Sequence, residues 1–244
     1  MPLSPQTLLA LEKRTLTKIA TLKPFEVFDN LRLEAQKCRH HLDPNRGCMD
    51  FHAILSLKVL EMKPNRKVEI LRRFDVAGLI EVSSNRKEVI RSSYQLVIGR
   101  GPTHLKPILR KVHFDFEPVA DSRDRKDEPK PTVHMQIGGK LLPQWAEGKG
   151  YAANQYHHHY PWFEKPRIPC FPICLALLLD WVFMEFSDSQ HVEAVLKDSE
   201  WNAHVREAES IVIAPFVGEC HNFLNRRETK KLRLLRHHLY GQPA

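Results

Sequence analysis

Two short stretches in the middle of the chain alternate apolar and polar residues with a period of two. Residues 111–117 read Lys-Val-His-Phe-Asp-Phe-Glu, and residues 132–138 read Thr-Val-His-Met-Gln-Ile-Gly. Because successive side chains of a β-strand point to opposite faces of a sheet, each stretch predicts a strand with one apolar and one polar face. A third stretch, residues 94–99, predicts a neighbouring strand in the same sheet.

If residues 111–117 and 132–138 pair as an antiparallel hairpin, their polar faces merge into one surface. Gly138 ends the second stretch and Gly139 follows it, at a position where backbone can approach a ligand closely. This surface is the best candidate for a functional site in the chain. Its candidate site residues are His113, Asp115, Glu117, His134 and Gln136.

Three interpretations of this surface remain open from the residue types alone. Paired imidazoles can act as general acid and base in RNA cleavage through the neighbouring 2′-hydroxyl, because imidazole titrates near neutral pH. Asp115 would then orient one ring, and Arg167 or Lys111 would bind the phosphate. Alternatively, histidines and carboxylates hold Mn²⁺ or Mg²⁺ for hydrolysis. The third interpretation is a structural layer of cross-strand polar contacts.

Charge and motifs narrow the class of protein. The formal net charge is +8, which favours a polyanionic partner, nucleic acid before an anionic membrane surface. The first residues lack the pattern of a signal peptide, and the five cysteines show no disulfide-like rhythm, so we expect a cytoplasmic protein without a membrane span. No Walker or Gly-x-Gly-x-x-Gly motif is present, so we expect no nucleotide cofactor and predict none of any other kind.

The N-terminal region, residues 1–92, is predicted to be helical. Apolar spacing of three and four predicts helices over residues 4–22, 24–38, 50–62 and 65–74. Gly78 stands where the last of these would end. A short strand is expected over residues 79–82 and another through Ile90, with a turn between them.

That order of helix, strand, turn and strand over residues 49–98 resembles a winged-helix module, in which the last helix enters the DNA groove and the hairpin forms the wing. The resemblance implies six DNA-facing residues: Arg66, Lys67, Arg72, Arg73, Arg86 and Lys87. The alternative is a solvated basic helix packed beside the sheet.

Residues 93–244 are predicted to form an α+β domain. A nearly all-apolar helix over residues 172–186 would lie against the apolar face of the sheet, followed by a helix over residues 190–209 and an apolar link over residues 211–215. A basic amphipathic helix over residues 223–240 closes the chain. Its candidates for phosphate contact are Arg226, Arg227, Lys230, Lys231 and Arg233, and the alternative is a solvated outer helix face.

A group of two cysteines and two histidines flanks the turn at residues 43–47. Cys38 with His41, and Cys48 with His52, would each share a helix face, which is one way to build a tetrahedral zinc site. The spacing matches no standard finger, so ordinary helix-face residues are the favoured interpretation, and no metal ligand is assigned.

The middle third of the chain resembles a group of poorly characterised bacterial domains that are often associated with toxin–antitoxin or anti-phage defence loci. The resemblance depends on the matching motifs His113-Phe-Asp115, His134-Met-Gln136-Ile-Gly138-Gly139 and Arg167-Ile-Pro169. It implies a cellular context more than a mechanism. Because an effector that kills its host would often need restraint, a protein or nucleoprotein partner that restrains the activity is also expected.

Together these patterns predict an α+β protein with a helical N-terminal region, a central antiparallel sheet and C-terminal helices on one face. The predicted function is a nucleic-acid-directed effector of a bacterial toxin–antitoxin or anti-phage defence system that cleaves RNA with paired histidines. The alternative is a non-catalytic module that binds nucleic acid or a nucleoprotein, through the basic C-terminal helix and the wing.

Overall fold

A computed structural model describes residues 4–21, 32–33, 47–82, 89–99, 108–116, 133–137, 168–188 and 190–225. Its strands are β1 (Arg32–Leu33), β2 (Gly47–Lys63), β3 (Arg66–Val82), β4 (Val89–Gly99), β5 (Ile108–Phe116), β6 (Val133–Ile137) and β7 (Ile168–Pro169). Its helices are α1 (Pro5–Thr21), α2 (Leu175–Glu185), α3 (Gln190–Lys197) and α4 (Ser199–Asn225).

The strands form one antiparallel sheet in which each strand pairs with the next in sequence, from β1 to β7. Connections between sequence neighbours are the usual way to build an antiparallel sheet. The α+β class, the antiparallel central sheet and the C-terminal helices packed on it are therefore confirmed.

One face of the sheet forms the hydrophobic core with α2. Aromatic contacts join the two layers: the ring centroids of Phe114 and Trp181 lie 6.1 Å apart, and those of Phe74 and Phe186 lie 5.1 Å apart, both edge to face. Helix α2 is apolar nearly all round because it is covered on one side by the sheet and on another by α4. The prediction of a buried central helix is confirmed, although the helix begins at Leu175 and not at Pro172.

A polar cap separates α3 from α4. The Asp198 carboxylate accepts a hydrogen bond from the backbone N–H of Trp201 at 2.7 Å, which is the N-cap geometry that starts a new helix. The predicted single helix over residues 190–209 is therefore two helices. The predicted link over residues 211–215 is also wrong: α4 continues through Pro215, and its apolar stripe of Val205, Ala208 and Val212 stays buried in the core.

Residues 47–82 form a long hairpin, so the helices predicted over residues 50–62 and 65–74 are wrong. Strands β2 and β3 pair over 17 residues each, from Gly47 opposite Val82 to Lys63 opposite Arg66. The two-residue loop is Pro64-Asn65, and Asn65 has φ of 69°. Proline followed by a residue with positive φ is the pattern of a type II turn. Apolar residues spaced three and four apart would also fit a helix. The tight turn and the pairing with the neighbouring strand stabilise the β conformation instead.

Gly78 is the middle of β3 and not the end of a helix. The ring of Phe51, on the adjacent β2, lies over it, and a Cβ at position 78 would stand 2.3 Å from Phe51 Cε1. Glycine is required at position 78 because the Phe51 ring lies too close to the backbone to leave room for a side chain.

The helix that the winged-helix resemblance would place in a DNA groove is absent from the described residues of this stretch, where residues 66–82 form strand β3. The boundary expected at residue 92 falls inside β4, which pairs with β3 on one side and β5 on the other. Of the helix predicted over residues 24–38, only residues 32–33 are described, and they form β1. The opening helix is confirmed as α1.

Candidate functional site

The predicted polar face lies on β5 and β6, which pair antiparallel in the expected way. His113 stands opposite Gln136, and Asp115 stands opposite His134. Four of the five predicted site residues on these strands are therefore neighbours on one face. Glu117 and Arg167, which were predicted to complete the site, lie outside the described residues.

The carboxylate of Asp115 lies between the two imidazoles. Its Oδ1 is 3.1 Å from Nε2 of His113, and its Oδ2 is 3.4 Å from Nε2 of His134. The period-two alternation placed all three side chains on one face, and the strand register placed the carboxylate within ion-pair distance of both rings. The predicted pairing of His113 with His134 thus takes the form of two rings that share one carboxylate.

Asp115 is an anion despite its burial. Burial alone would raise the pKa of this carboxyl, but the hydrogen bond and charge of His113, a hydrogen bond from Ser93 and the charge of His134 outweigh it and lower the pKa to about 2. A carboxylate that stays ionised near neutral pH accepts protons from its neighbours and does not supply them. Asp115 therefore fits the predicted role of an orienting group and does not fit that of a general acid.

Ser93 on β4 belongs to the same cluster, and the sequence interpretation missed it. Ser93 is directly opposite Asp115 in the sheet, fully buried, and its Oγ lies 2.6 Å from Nε2 of His113. The signal was present in the alternation of β4, where Ser93, Gln95 and Val97 share one face. It was overlooked because the strand was expected to begin at Tyr94.

These groups do not form a serine-nucleophile triad. In a triad the serine hydroxyl and the carboxylate contact opposite nitrogens of the imidazole. Here Ser93 Oγ and Asp115 Oδ1 both face the same nitrogen, Nε2 of His113. Both oxygens therefore contact the ring from one side.

Cys170 is near this cluster but is a poor nucleophile. It follows β7 directly, and its backbone N–H donates to the Val133 carbonyl at 3.3 Å. Burial, followed by the negative charge of Asp115, raises the pKa of the Cys170 thiol to about 12. Because the thiolate is the reactive form, this thiol is inert near neutral pH.

Solvent exposure differs between the two imidazoles. The side chain of His113 is 12% exposed and that of His134 is 2% exposed. The polar face is largely buried along the neighbouring strands as well, since Gln95 and Lys111 are buried on it. His113 is therefore the more solvent-exposed of the two imidazoles.

Arg72 and Arg73, which were predicted to contact nucleic acid from a helix, lie on strand β3. Arg72 is 7% exposed. Arg73 makes a bidentate ion pair with the buried Asp75, with Nε to Oδ1 at 2.5 Å and Nη2 to Oδ2 at 2.9 Å. Neither is an exposed residue on a helix. The remaining predicted phosphate contacts lie outside the described residues: Arg226, Arg227, Lys230, Lys231 and Arg233.

In the part of the chain that the structure describes, no three His, Cys, Asp or Glu residues are grouped in a way that could hold a metal ion. Of the four residues weighed as zinc ligands, Cys38 and His41 are outside that part. Cys48 and His52 are on strand β2, so the helix face that they were expected to share does not exist.

Among the described helices, none is both long enough and apolar enough to cross a membrane.

Comparison of the chain with protein-family models, with curated proteins and with solved structures gave no match.

Proposed function

We propose that this protein cleaves RNA without a metal ion, with His113 and His134 as the acid–base pair. The observation that carries the proposal is the Asp115 carboxylate, which lies within 3.1 Å of one imidazole and 3.4 Å of the other. Two histidines can supply both proton transfers that transesterification at the 2′-hydroxyl requires. The net charge of +8 favours binding of a polyanion.

His113 is the general base in this proposal, because its ring has the greater exposed surface. It removes the proton of the 2′-hydroxyl, the 2′-oxygen attacks phosphorus, and the bond from phosphorus to the 5′-oxygen breaks. His134 is the acid that protonates the departing 5′-oxygen. Since His134 is nearly buried, this role requires the RNA to displace the groups that cover the ring.

The products follow from the chemistry. Attack by the 2′-oxygen yields a 2′,3′-cyclic phosphate and a 5′-hydroxyl, and a 2′-deoxy linkage is resistant because it lacks the nucleophile.

The resemblance to toxin–antitoxin and anti-phage defence domains leads us to place the activity in such a system, with a protein or nucleoprotein partner that restrains it.

The test is cleavage of labelled total RNA in EDTA by purified wild-type protein, His113→Gln and His134→Gln. The matched control is His221→Gln, an exposed histidine on α4 outside the site. We expect cleavage with a cyclic phosphate end in wild type and control, and a loss of about 100-fold or more in each site variant, the range for one general acid or base.

Two outcomes would contradict the proposal. Cleavage that EDTA abolishes would assign the chemistry to a metal ion. No cleavage by any form, together with a large loss of thermal stability in His134→Gln, would make the cluster a structural polar layer and would favour the non-catalytic binding module.

A further inference from the structure

Exposed apolar side chains gather at the edge of the sheet that carries His134. Five large apolar side chains are exposed in the described part of the chain, and three of them lie on β6, on β7 or just after β7: Ile137, Ile168 and Phe171. Phe171 is the most exposed of the five, at 57%. Single exposed apolar residues are ordinary on a protein surface, but a group of them at one edge is typical of a binding surface.

The backbone places Phe171 close to the candidate site. Pro169 of β7 stands opposite His134 of β6, and the N–H of Cys170 donates to the Val133 carbonyl at 3.3 Å. Cα atoms paired across antiparallel strands are about 5 Å apart, and two residues of chain span at most about 7 Å. The Cα of Phe171 is therefore within about 12 Å of the Cα of His134. Side chains at these two positions can contact neighbouring nucleotides of one strand.

The ring of Phe171 is supported from one side while more than half of the residue stays exposed. Its centroid lies 6.1 Å from that of Phe216 on α4, and the two ring planes are 89° apart. This edge-to-face contact restricts the orientation of both rings. Pro172 restricts the backbone of Phe171 to extended conformations. A ring that is already held in this way loses little conformational entropy when a planar group stacks on it.

A nucleobase is the occupant that the chemistry of the protein favours at this ring. The formal net charge of +8 attracts polyanions to the surface. Every base has a π-face, and proteins bind single-stranded nucleic acids by stacking bases on exposed aromatic side chains. The bases of a duplex are already stacked on one another, so only an unpaired base can use the ring.

We propose that Phe171 is a stacking platform for an unpaired nucleobase, and that the nucleic acid bound at the candidate site is therefore single-stranded. The identification of this nucleic acid as RNA, with its scissile phosphate beside the stacked base, rests on the proposed function. The stacking itself rests on the exposure and position of Phe171 and is testable without cleavage.

The test is the affinity of the purified protein for a fluorescein-labelled single strand of 2′-deoxynucleotides, which resists cleavage and keeps its bases. Fluorescence anisotropy measures the Kd over a series of salt concentrations. Phe171→Ala is expected to raise the Kd about 5- to 100-fold, the effect of removing the stacking of one base. The slope of log Kd against log salt should not change, because no phosphate contact is removed. Phe171→Trp keeps an aromatic ring and should bind at least as tightly as wild type.

Three controls separate stacking from other causes of weaker binding. An abasic strand with the same number of phosphates should bind equally to wild type and to Phe171→Ala. Phe171→Leu keeps an apolar side chain without an aromatic ring and should bind the base-containing strand as weakly as Phe171→Ala. Met184→Ala removes an apolar side chain of similar exposure, 55%, from α2 and should leave the Kd unchanged.

Several results would overturn the inference. Absence of binding by wild type, or an equal Kd for wild type and Phe171→Ala, would leave this edge of the sheet to a protein partner. Wild-type affinity in Phe171→Leu would assign the contact to apolar bulk and not to the ring. An equal loss for the abasic strand would assign the weaker binding to a change in the fold.

The same variants separate this inference from the proposed function. A protein that binds the single strand through Phe171 but does not cleave RNA would overturn the proposed function and leave this inference standing. Cleavage of RNA at a kcat/KM that Phe171→Ala does not lower would overturn this inference and leave the proposed function standing.

Discussion

Tyr94 on β4 donates a hydrogen bond from its hydroxyl to Oε1 of Glu12 on α1, at 2.5 Å in the middle of the core. The backbone N–H of Leu175, the first residue of α2, donates to both carboxylate oxygens of Glu12 at 3.2 Å. One fully buried carboxyl group thus joins the N-terminal helix, the sheet and the positive end of the central helix. Because burial changes the pKa of this carboxyl, the free energy of unfolding depends on pH.

The stability of the protein is expected to fall as pH rises through the range in which Glu12 ionises. Burial raises the pKa of Glu12 from 4.5 to about 7, although the hydrogen bonds from Tyr94 and Leu175 oppose the rise. The folded state therefore holds a proton that the unfolded state has lost between those values, and the unfolding free energy falls with pH across them. The expected decrease is about 3 kcal/mol. Urea unfolding of wild type and Glu12→Gln at pH 5, 6, 7 and 8 measures it.

In Glu12→Gln this part of the pH dependence should disappear, because the amide is neutral like the protonated carboxyl, so that the two proteins differ least at pH 5 and most at pH 8. Glu209→Gln, at an exposed position on α4, is the control and should keep the wild-type dependence. An identical slope in wild type and Glu12→Gln would show that Glu12 does not carry the proton.

Asp115 should make the opposite contribution at acid pH. Its pKa is lowered from 3.8 to about 2, despite its burial, by His113, Ser93 and His134. A carboxyl with a depressed pKa stabilises the folded state above its unfolded value, and that stabilisation is lost as pH falls toward its folded value. We expect wild type to lose about 2 kcal/mol more than Asp115→Asn between pH 5 and pH 2. Urea titrations at these pH values compare the two, and equal losses would contradict the prediction.

Gly78 and Gly218 should respond to alanine in opposite directions. A Cβ on Gly78 would stand 2.3 Å from two ring atoms of the buried Phe51, whereas a Cβ on Gly218 meets nothing within 4 Å. Gly78→Ala is expected to lower the unfolding free energy by about 1–3 kcal/mol through overpacking. Gly218→Ala should raise it by about 0.5–1 kcal/mol, because alanine favours the helix.

Thermal melts of both alanine variants test this pair. Most of the cost of Gly78→Ala should vanish in a Phe51→Ala background, since the ring that it meets is then gone. A cost that persists there would mean that the backbone and not the ring limits position 78.

The turn between β2 and β3 should be sensitive to β-branched residues at a single position. Asn65 has a φ of 69°, which asparagine and glycine adopt more easily than other residues. Asn65→Gly should be nearly neutral, and Asn65→Val should cost about 1–2 kcal/mol. Arg66→Val, at the exposed first residue of β3, is the control for β-branching alone and should not destabilise. Equal melting temperatures for the two valine variants would contradict the prediction.

The site could be predicted from the sequence because it depends on a local rule. Period-two alternation places His113 and Asp115 on one face of one strand and His134 on the matching face of the next, and the antiparallel pairing of the two strands makes them neighbours. Ser93 was missed because the strand was expected to begin at Tyr94, whereas it begins at Val89. Its place in the cluster depends on the register between β4 and β5, which no motif in the sequence marks.

The hairpin of β2 and β3 shows the opposite case. Residues 50–74 carry apolar side chains at spacings that a helix also satisfies, so local periodicity favoured helices there. Pairing over 17 residues with the partner strand, and burial of Phe74, Val76 and Ile80 against the core, override that local preference.

The sequence by itself determined the α+β class, the three central strands, the buried helix α2 and which polar residues share a face. These properties follow from the alternation of residues along one element. The tertiary structure decided that residues 47–82 are strands, that Glu12 meets Tyr94, and that Ser93 and Asp115 meet the same nitrogen of His113. Glu12 and Tyr94 are distant in sequence, as are Ser93 and His113, and only the packing of the sheet and its helices brings such residues within bonding distance.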